Sequence, residues 1–290
     1  MVAVENQRLF EVPGLPERSV LYVSANVAPD HSLRAAVVAH MDPLPDLDLN
    51  RITGSLGPGS RRYFVERVLD GTVDELPTDL RGLRGLVIGC SAYSVNLERG
   101  PLKPWQERVI ALVRRAVLEY KLPYLGLCGG GQLGLVAMGG KVGPNPAGVG
   151  FDPSQPGSLV IRTTQVELTE AGKHDPIFDG VQPVFGMTAI HADYMAEVPA
   201  QGFTVLAHSE DVPNQAVAYG DRVRLFGLHP EVTAEFLSRT MQPVIDAGAF
   251  PSVPRDVLRD TFAGLCPTPE SNRKILGNFL RHFCARKWEA

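Results

Sequence analysis

The chain has 290 residues, with 28 Lys and Arg against 32 Asp and Glu and a formal net charge of −4. The charges are spread without blocks, so nothing favours a nucleic-acid partner, and no basic amphipathic stretch favours a membrane surface. No apolar run approaches the ~20 residues of a transmembrane helix. The opening MVAVENQRLFEVPG carries acids and lacks the apolar core of a signal peptide, so the expected location is cytoplasmic. Cys90, Cys128, Cys266 and Cys284 are scattered with no C-x-x-C pair. Neither a disulfide framework nor a zinc site is expected from them, and no metal or cofactor.

In chain order, the first buried strand is expected over residues 19–27 (SVLYVSANV). Residues 28–60 are rich in Pro, Gly and Asp, with a short helix expected over 32–40 and a second strand near 48–53. Residues 63–69 read as a short amphipathic helix. Leu86, Val87 and Ile88 form a buried strand that runs into a loop at Gly89-Cys90-Ser91. From Pro104 to Tyr120, apolar residues recur at helical spacing, and Pro104 suits a first helical turn. Strands follow at 158–169, 183–190 and 204–208. The Gly220-Asp221 dipeptide then marks a hairpin between 215–219 and 222–227. The C-terminal part reads as amphipathic helices. Strands alternating with helices and then hairpins predict a three-layer α/β/α open sheet, mostly parallel, with an antiparallel flank. Residues 1–290 are expected to form a single domain.

The stretch 122–140, LPYLGLCGGGQLGLVAMGG, organises the rest. An apolar strand runs into three glycines, and apolar residues then resume at helical spacing until Gly139-Gly140. Gly126-x-Cys128-x-Gly130 is a cysteine version of the nucleophile elbow. The glycines suit a strained, crowded turn, and the N-terminus of the following helix is expected to lower the thiol pKa and to offer N–H groups to a developing oxyanion. A phosphate-binding loop would need Lys-Ser/Thr after the glycines or a GxGxxG pattern, and has neither. A buried, chemically idle cysteine is the alternative these residues leave open.

A thiol nucleophile needs a base. His229, in RLFGLHPEVT, follows a short apolar strand, and Glu231 lies two residues on, past Pro230. A carboxylate so placed can bond the imidazole and fix its tautomer, as the third member of a triad does.

GLCGGGQ together with GLHPE resembles the class I glutamine amidotransferases, whose usual strings are G-x-C-x-G-x-Q and F-H-P-E. GLRGLVIGC matches the strand before that family's oxyanion loop, AIHADYMAEVPAQGFTVLAHSED its H-x-D segment, and KILGNFLRHFC its closing helix. The likeness spans roughly residues 19–232 and 273–284, and the expected architecture is accordingly flavodoxin-like. It implies Cys128 as nucleophile, His229 as general base and then acid, and Glu231 as the group that orients His229. It also implies oxyanion donors at Gly129 and in the Gly89-Cys90 turn, Gln132 in the glutamine pocket, and His191 and Asp193 beside the substrate's amino-acid end. The implied reaction is hydrolysis of the glutamine side-chain amide through a Cys128 thioester, with ammonia passed to a synthetase.

Three features depart from that pattern. Cys90 and Ser91 stand where the family's Gly-Gly-Pro oxyanion loop has a glycine and a proline. Gly227-Leu228 replace the usual Gln-Phe before His-Pro-Glu. Roughly residues 234–272 are inserted before the closing helix, as two amphipathic helices suited to a lid or a partner surface. These departures keep a second reading open, a related cysteine hydrolase or acyl or amide transferase acting on another small amide. No ATP-pyrophosphatase loop or phosphate loop occurs in the sequence, so a separate synthetase subunit is the expected partner. The acceptor of the ammonia and any self-association into a homo-oligomer are left open.

Overall fold

The structure, a computed structural model, describes residues 20–25, 59–69, 76–91, 93–145, 160–191, 193–232 and 268–285, with a few single positions between them. The expected helix over 32–40, the expected strand near 48–53 and most of the 234–272 insertion lie outside the described residues.

Among the described residues, nine strands form one sheet, in the order β2-β1-β3-β4-β11-β10-β9-β6-β7. Its first half is parallel: β2 (Phe64–Val68), β1 (Val20–Ser24), β3 (Gly85–Ile88), β4 (Tyr124–Leu127) and β11 (Val223–Phe226). Its second half is antiparallel: β11, β10 (Ala216–Tyr219), β9 (Phe203–His208), β6 (Val160–Leu168) and β7 (Val184–His191). This is the α/β architecture expected from the sequence, with its antiparallel flank. A separate ribbon pairs β5 (Lys141–Pro144) with β8 (Asp193–Glu197).

The central strands are apolar on both faces, as strands covered by helices on both sides must be. Leu21, Val23, Leu86, Ile88, Tyr124, Val223 and Leu225 point to one core. There they meet Val109, Leu112 and Val113 of α1 (Pro104–Arg114) and Leu133 and Leu135 of α2 (Gly129–Ala137). The alternate residues Val20, Tyr22, Val87, Leu125, Leu127 and Phe226 point to the other core. That face is covered by Ile275 and Leu276 of α4 (Pro269–Asn278) and by Phe279, Leu280 and Phe283 of its π-helical continuation. α1 likewise continues as a π-helical turn over Arg115–Glu119 and ends at Lys121, which has a positive φ of 55°. A short α3 (Glu170–Lys173), capped by Thr169, lies between β6 and β7. Among the described residues, no helix is long and apolar enough to cross a membrane.

Two local readings change. Residues 63–69 do not form a helix: a 3₁₀ turn, Ser60–Tyr63, leads into β2, which pairs in parallel with the whole of β1. The apolar residues 63, 64, 65, 68 and 69 fit either period, and pairing with the buried β1 decides for the strand. Residues 141–144, not read as an element from the sequence, form a strand that pairs with β8.

The antiparallel half curls back toward the parallel half. An isolated bridge joins Thr188 of β7 to His229, with His229 N donating to Thr188 O at 3.0 Å. The outermost strand thus reaches the segment leaving β11. The ends of β7, β4 and β11 thereby meet at one edge.

Candidate active site

The site is built on the turn between β4 and α2. Cys128 caps α2 with φ 49° and ψ −110°, a conformation that side chains rarely adopt and that costs of order 1–3 kcal/mol unless its surroundings enforce it. They do. Cys128 N donates to Phe226 O at 2.8 Å, Gly130 N to Gly89 O at 2.9 Å and Gln132 N to Cys128 O at 3.0 Å. The close approach also explains the glycines. A Cβ on Gly130 would stand 2.0 Å from Ile88 O, and one on Gly129 would stand 2.5 Å from Ser91 N. A side chain at either position would push the β3 loop away from the helix start.

His229 and Glu231 arrive from the end of β11. Both are buried, with side chains 1% and 2% exposed, and His229 Nδ1 lies 2.8 Å from Glu231 Oε1. Nε2, on the other side of the ring, lies against Ile190 O. Cys128 Sγ, the Cys90 sulfur and a ring nitrogen of His229 all lie within 4.8 Å of one another. One hundred residues of chain separate Cys128 from His229, and the fold brings them together.

One group was not foreseen. Ile190 O accepts from Cys128 Sγ at 3.4 Å and lies 3.2 Å from His229 Nε2. It holds the thiol and the imidazole on either side of a single carbonyl. A backbone oxygen has no side-chain signature, so the sequence could not have shown it.

The thiol is not depressed as the helix terminus suggested. Cys128 is held well above its ordinary value, first by its hydrogen bond with the Cys90 side chain, then by burial and by the charges of Cys90 and Glu231. The Gly129 N–H bond to the sulfur works in the opposite direction and is outweighed. A neutral resting thiol with an imidazole at hand needs that imidazole as base.

The remaining site residues surround this centre. Gln132 Nε2 donates to Asp193 O at 2.8 Å. His191 is buried, with Nδ1 3.1 Å from Asn145 Nδ2. Burial, reinforced by the charges of His229 and Arg162, drops its pKa to about 4, so it is neutral near pH 7. The Asp193 carboxylate is engaged on both oxygens. Oδ2 accepts from Ser94 Oγ at 2.6 Å, and Oδ1 from Arg99 Nε at 3.0 Å and Asn96 Nδ2 at 3.3 Å. Its side chain is 1% exposed. It fastens the loop after β3 to β8, a role that sequence spacing could not reveal. Of the two amides in the Gly89-Cys90 turn, that of Gly89 already donates to Val23 O at 3.1 Å. Gly89 N is therefore spent on extending the β1–β3 ladder, which corrects its assignment as an oxyanion donor.

A glycine-lined cysteine turn at a strand end, with a His–Glu pair beside the sulfur, defines a cysteine-nucleophile enzyme of the α/β class. Residues 60–241 match the family described as glutamine amidotransferase class-I, and the chain belongs to that family. It is 31% identical over 160 residues to the glutamine-hydrolysing GMP synthase of Porphyromonas gingivalis, and 30% identical over 150 residues to that of Aquifex aeolicus. These matches cover 55% and 51% of this chain but 27% and 26% of the relatives, so the chain spans only about a quarter of their length. Among solved structures, a glutamine amidotransferase from Thermotoga maritima aligns over 92% of this chain and 98% of its own, with a TM-score of 0.62 and 17% identity. One from Methylobacillus flagellatus aligns over 95% and 97%, with a TM-score of 0.60 and 22% identity. Both share the fold.

Proposed function

We propose that this chain hydrolyses the side-chain amide of glutamine and hands the ammonia to a separate synthetase. The observation that carries the reading is the Cys128, His229 and Glu231 cluster: a strained, buried thiol within 4.8 Å of an imidazole whose other nitrogen is held 2.8 Å from a buried carboxylate. Membership of the family and the likeness to glutamine-hydrolysing GMP synthases, of which this chain matches only a part, support it.

In this reading Cys128 passes its proton to His229 Nε2, and the thiolate attacks the amide carbon. The N–H groups of Gly129 and Cys90 bond the oxyanion. The His229 imidazolium protonates the departing ammonia, leaving a thioester on Sγ. His229 then takes a proton from water, which hydrolyses the thioester to glutamate. Glu231 holds Nδ1 throughout, so the proton always moves through Nε2. Gln132 and His191 line the pocket, and no cofactor takes part. Asp193 positions the loop at 94–99 in place of touching substrate, because its carboxylate is already bonded by Ser94, Asn96 and Arg99. The chain acts as a single cytoplasmic domain.

The experiment is ammonia release from glutamine by the purified chain, alone and with candidate synthetases. Release by the parent and its loss in Cys128→Ala are expected. No release in any condition, with parent and variant alike, would remove the reading. One observation favours a second substrate class: Cys90 puts a sulfur against Cys128 where the family pattern has glycine, which reshapes the wall a γ-amide must pass. An acyl adduct formed on Cys128 from another small amide, with none from glutamine, would select that cysteine hydrolase or transferase instead.

A further inference from the structure

We propose that Cys90, Cys128 and His229 form a binding site for a thiophilic divalent cation of the zinc class, and that the ion blocks the enzyme by occupying its nucleophile and its base. The blocking half rests on the function proposed above; the binding half does not. The cysteines carry no zinc spacing, and it is the fold that assembles the set. The β3–α1 loop brings Cys90 against the elbow, and the end of β11 brings His229.

The donors match one kind of ion. Two sulfurs and one imidazole nitrogen suit a tetrahedral, borderline-soft cation, and no oxygen cage for Mg²⁺ or Ca²⁺ is formed by these residues. Around a tetrahedral zinc, with Zn–S and Zn–N bonds near 2.3 Å and 2.0–2.1 Å, the donor atoms stand about 3.6–3.8 Å apart. Here all three lie within 4.8 Å of one another, so each needs to move by no more than about an ångström from its place to reach that geometry.

The outer contacts are also in place. His229 Nδ1 is held 2.8 Å from Glu231 Oε1, which fixes the ring so that Nε2 is the ligating atom, the carboxylate–histidine–metal arrangement that orients ligands in zinc proteins. Cys128 Sγ and His229 Nε2 both sit against the same carbonyl, Ile190 O. An ion lying between the sulfurs and the ring takes the place of the thiol protons, and Ile190 O or a water completes the fourth position. Charge balances as well. One dication enters, two thiol protons leave, and the buried cluster gains no net charge. Cys90 is half-buried while the other two are buried, so an ion reaches the cluster from the Cys90 side.

The probe is Co²⁺, whose thiolate bonds absorb in the near ultraviolet and whose four-coordinate form absorbs in the visible. The full chain, chelator-stripped and phosphine-reduced, is titrated with Co²⁺ and then with Zn²⁺. Saturation at one cobalt per chain is expected, with both absorptions bleached by zinc. Cys90→Ser should lose about half of the thiolate absorption, in line with one thiolate of two, and Glu231→Gln should weaken binding by about tenfold or more. A parallel alkylation map guards against a misfolded variant: Zn²⁺ should protect Cys90 and Cys128 together in the parent chain. No thiolate–cobalt absorption at saturation, or a spectrum unchanged by Cys90→Ser, would overturn the site, as would equal alkylation of both cysteines with and without zinc. None of these readouts depends on glutamine turnover. If the parent releases ammonia, equimolar Zn²⁺ should stop it and a chelator should restore it. A chain that binds cobalt yet releases no ammonia fails the functional reading and leaves the metal site standing.

Discussion

Strand β11 and the residues just after it carry two buried polar clusters that look alike in sequence and differ in physics. Arg224 meets Asp175 through Nε at 2.9 Å and a terminal nitrogen at 2.8 Å, both side chains being less than a tenth exposed. Its other terminal nitrogen donates to Val223 O at 2.8 Å and Gly220 O at 3.2 Å, and the guanidinium stacks over Phe283. Five residues later, His229 holds Glu231 on one side, while its other nitrogen shares a carbonyl with a thiol 3.4 Å from that oxygen. The first cluster is saturated with short bonds, so it can only hold. The second keeps a strained nucleophile and one imidazole nitrogen on long contacts that can be exchanged. Saturation separates a strut from a site, and by that measure Asp193, bonded by three side chains, belongs with the struts.

Glu231→Gln should do the most to break the contrast. It keeps the shape but removes the charge that fixes His229, so kcat for ammonia release should fall roughly a hundredfold to ten-thousandfold while KM moves little. Steady-state kinetics on the folded variant checks this, and an unchanged kcat would make Glu231 another strut. Arg224→Met should show the opposite signature. It strands the Asp175 carboxylate in the core, at a cost of about 3–5 kcal/mol of stability, with kcat per folded molecule unchanged. Denaturant unfolding measures the first part and an assay at low temperature the second.

His191 sharpens the comparison through pH. Its folded pKa is about 4, against 6.5 for the free side chain. As pH falls below 6.5 the unfolded chain takes up the proton first, so stability is full above that value and drains away toward pH 4. Between pH 7 and 4.5 the loss from this group should be about 2–3 kcal/mol. It should shrink in His191→Asn when the two proteins are unfolded by denaturant at both pH values. The smallest effect is expected for Asp193→Asn, which weakens three charge-assisted bonds. It should lower stability by about 1–3 kcal/mol and kcat/KM by less than about tenfold, through a displaced 94–99 loop. A KM for glutamine raised more than about a hundredfold at unchanged stability would put this carboxylate on the substrate instead.

What could be read from the chain was whatever is local. The elbow is written in seven consecutive residues, because each of Gly126, Gly129, Gly130 and Gly131 is set by backbone a few ångströms away. The His-Pro-Glu pair is local too. The parallel half of the sheet was legible from buried apolar runs, whereas β2 was misread because its apolar positions fit two periods. The contacts that decide roles span long stretches of chain: Cys128 to Ile190, Ser94 and Arg99 to Asp193, Asn145 to His191. No short pattern encodes them. Cys90 was visible only as a departure from a loop motif, and its approach to the Cys128 sulfur emerges only when β3 and β4 are laid side by side.

The most direct measurement mixes the purified chain with glutamine, quenches with acid at short times and weighs the cysteine-containing peptides. A glutamyl group on the Cys128 peptide, formed before ammonia release reaches steady state and sharply reduced in His229→Gln, is the expected result. Ammonia released at an undiminished rate by Cys128→Ala, or a glutamyl group found on Cys90 in place of Cys128, would contradict it.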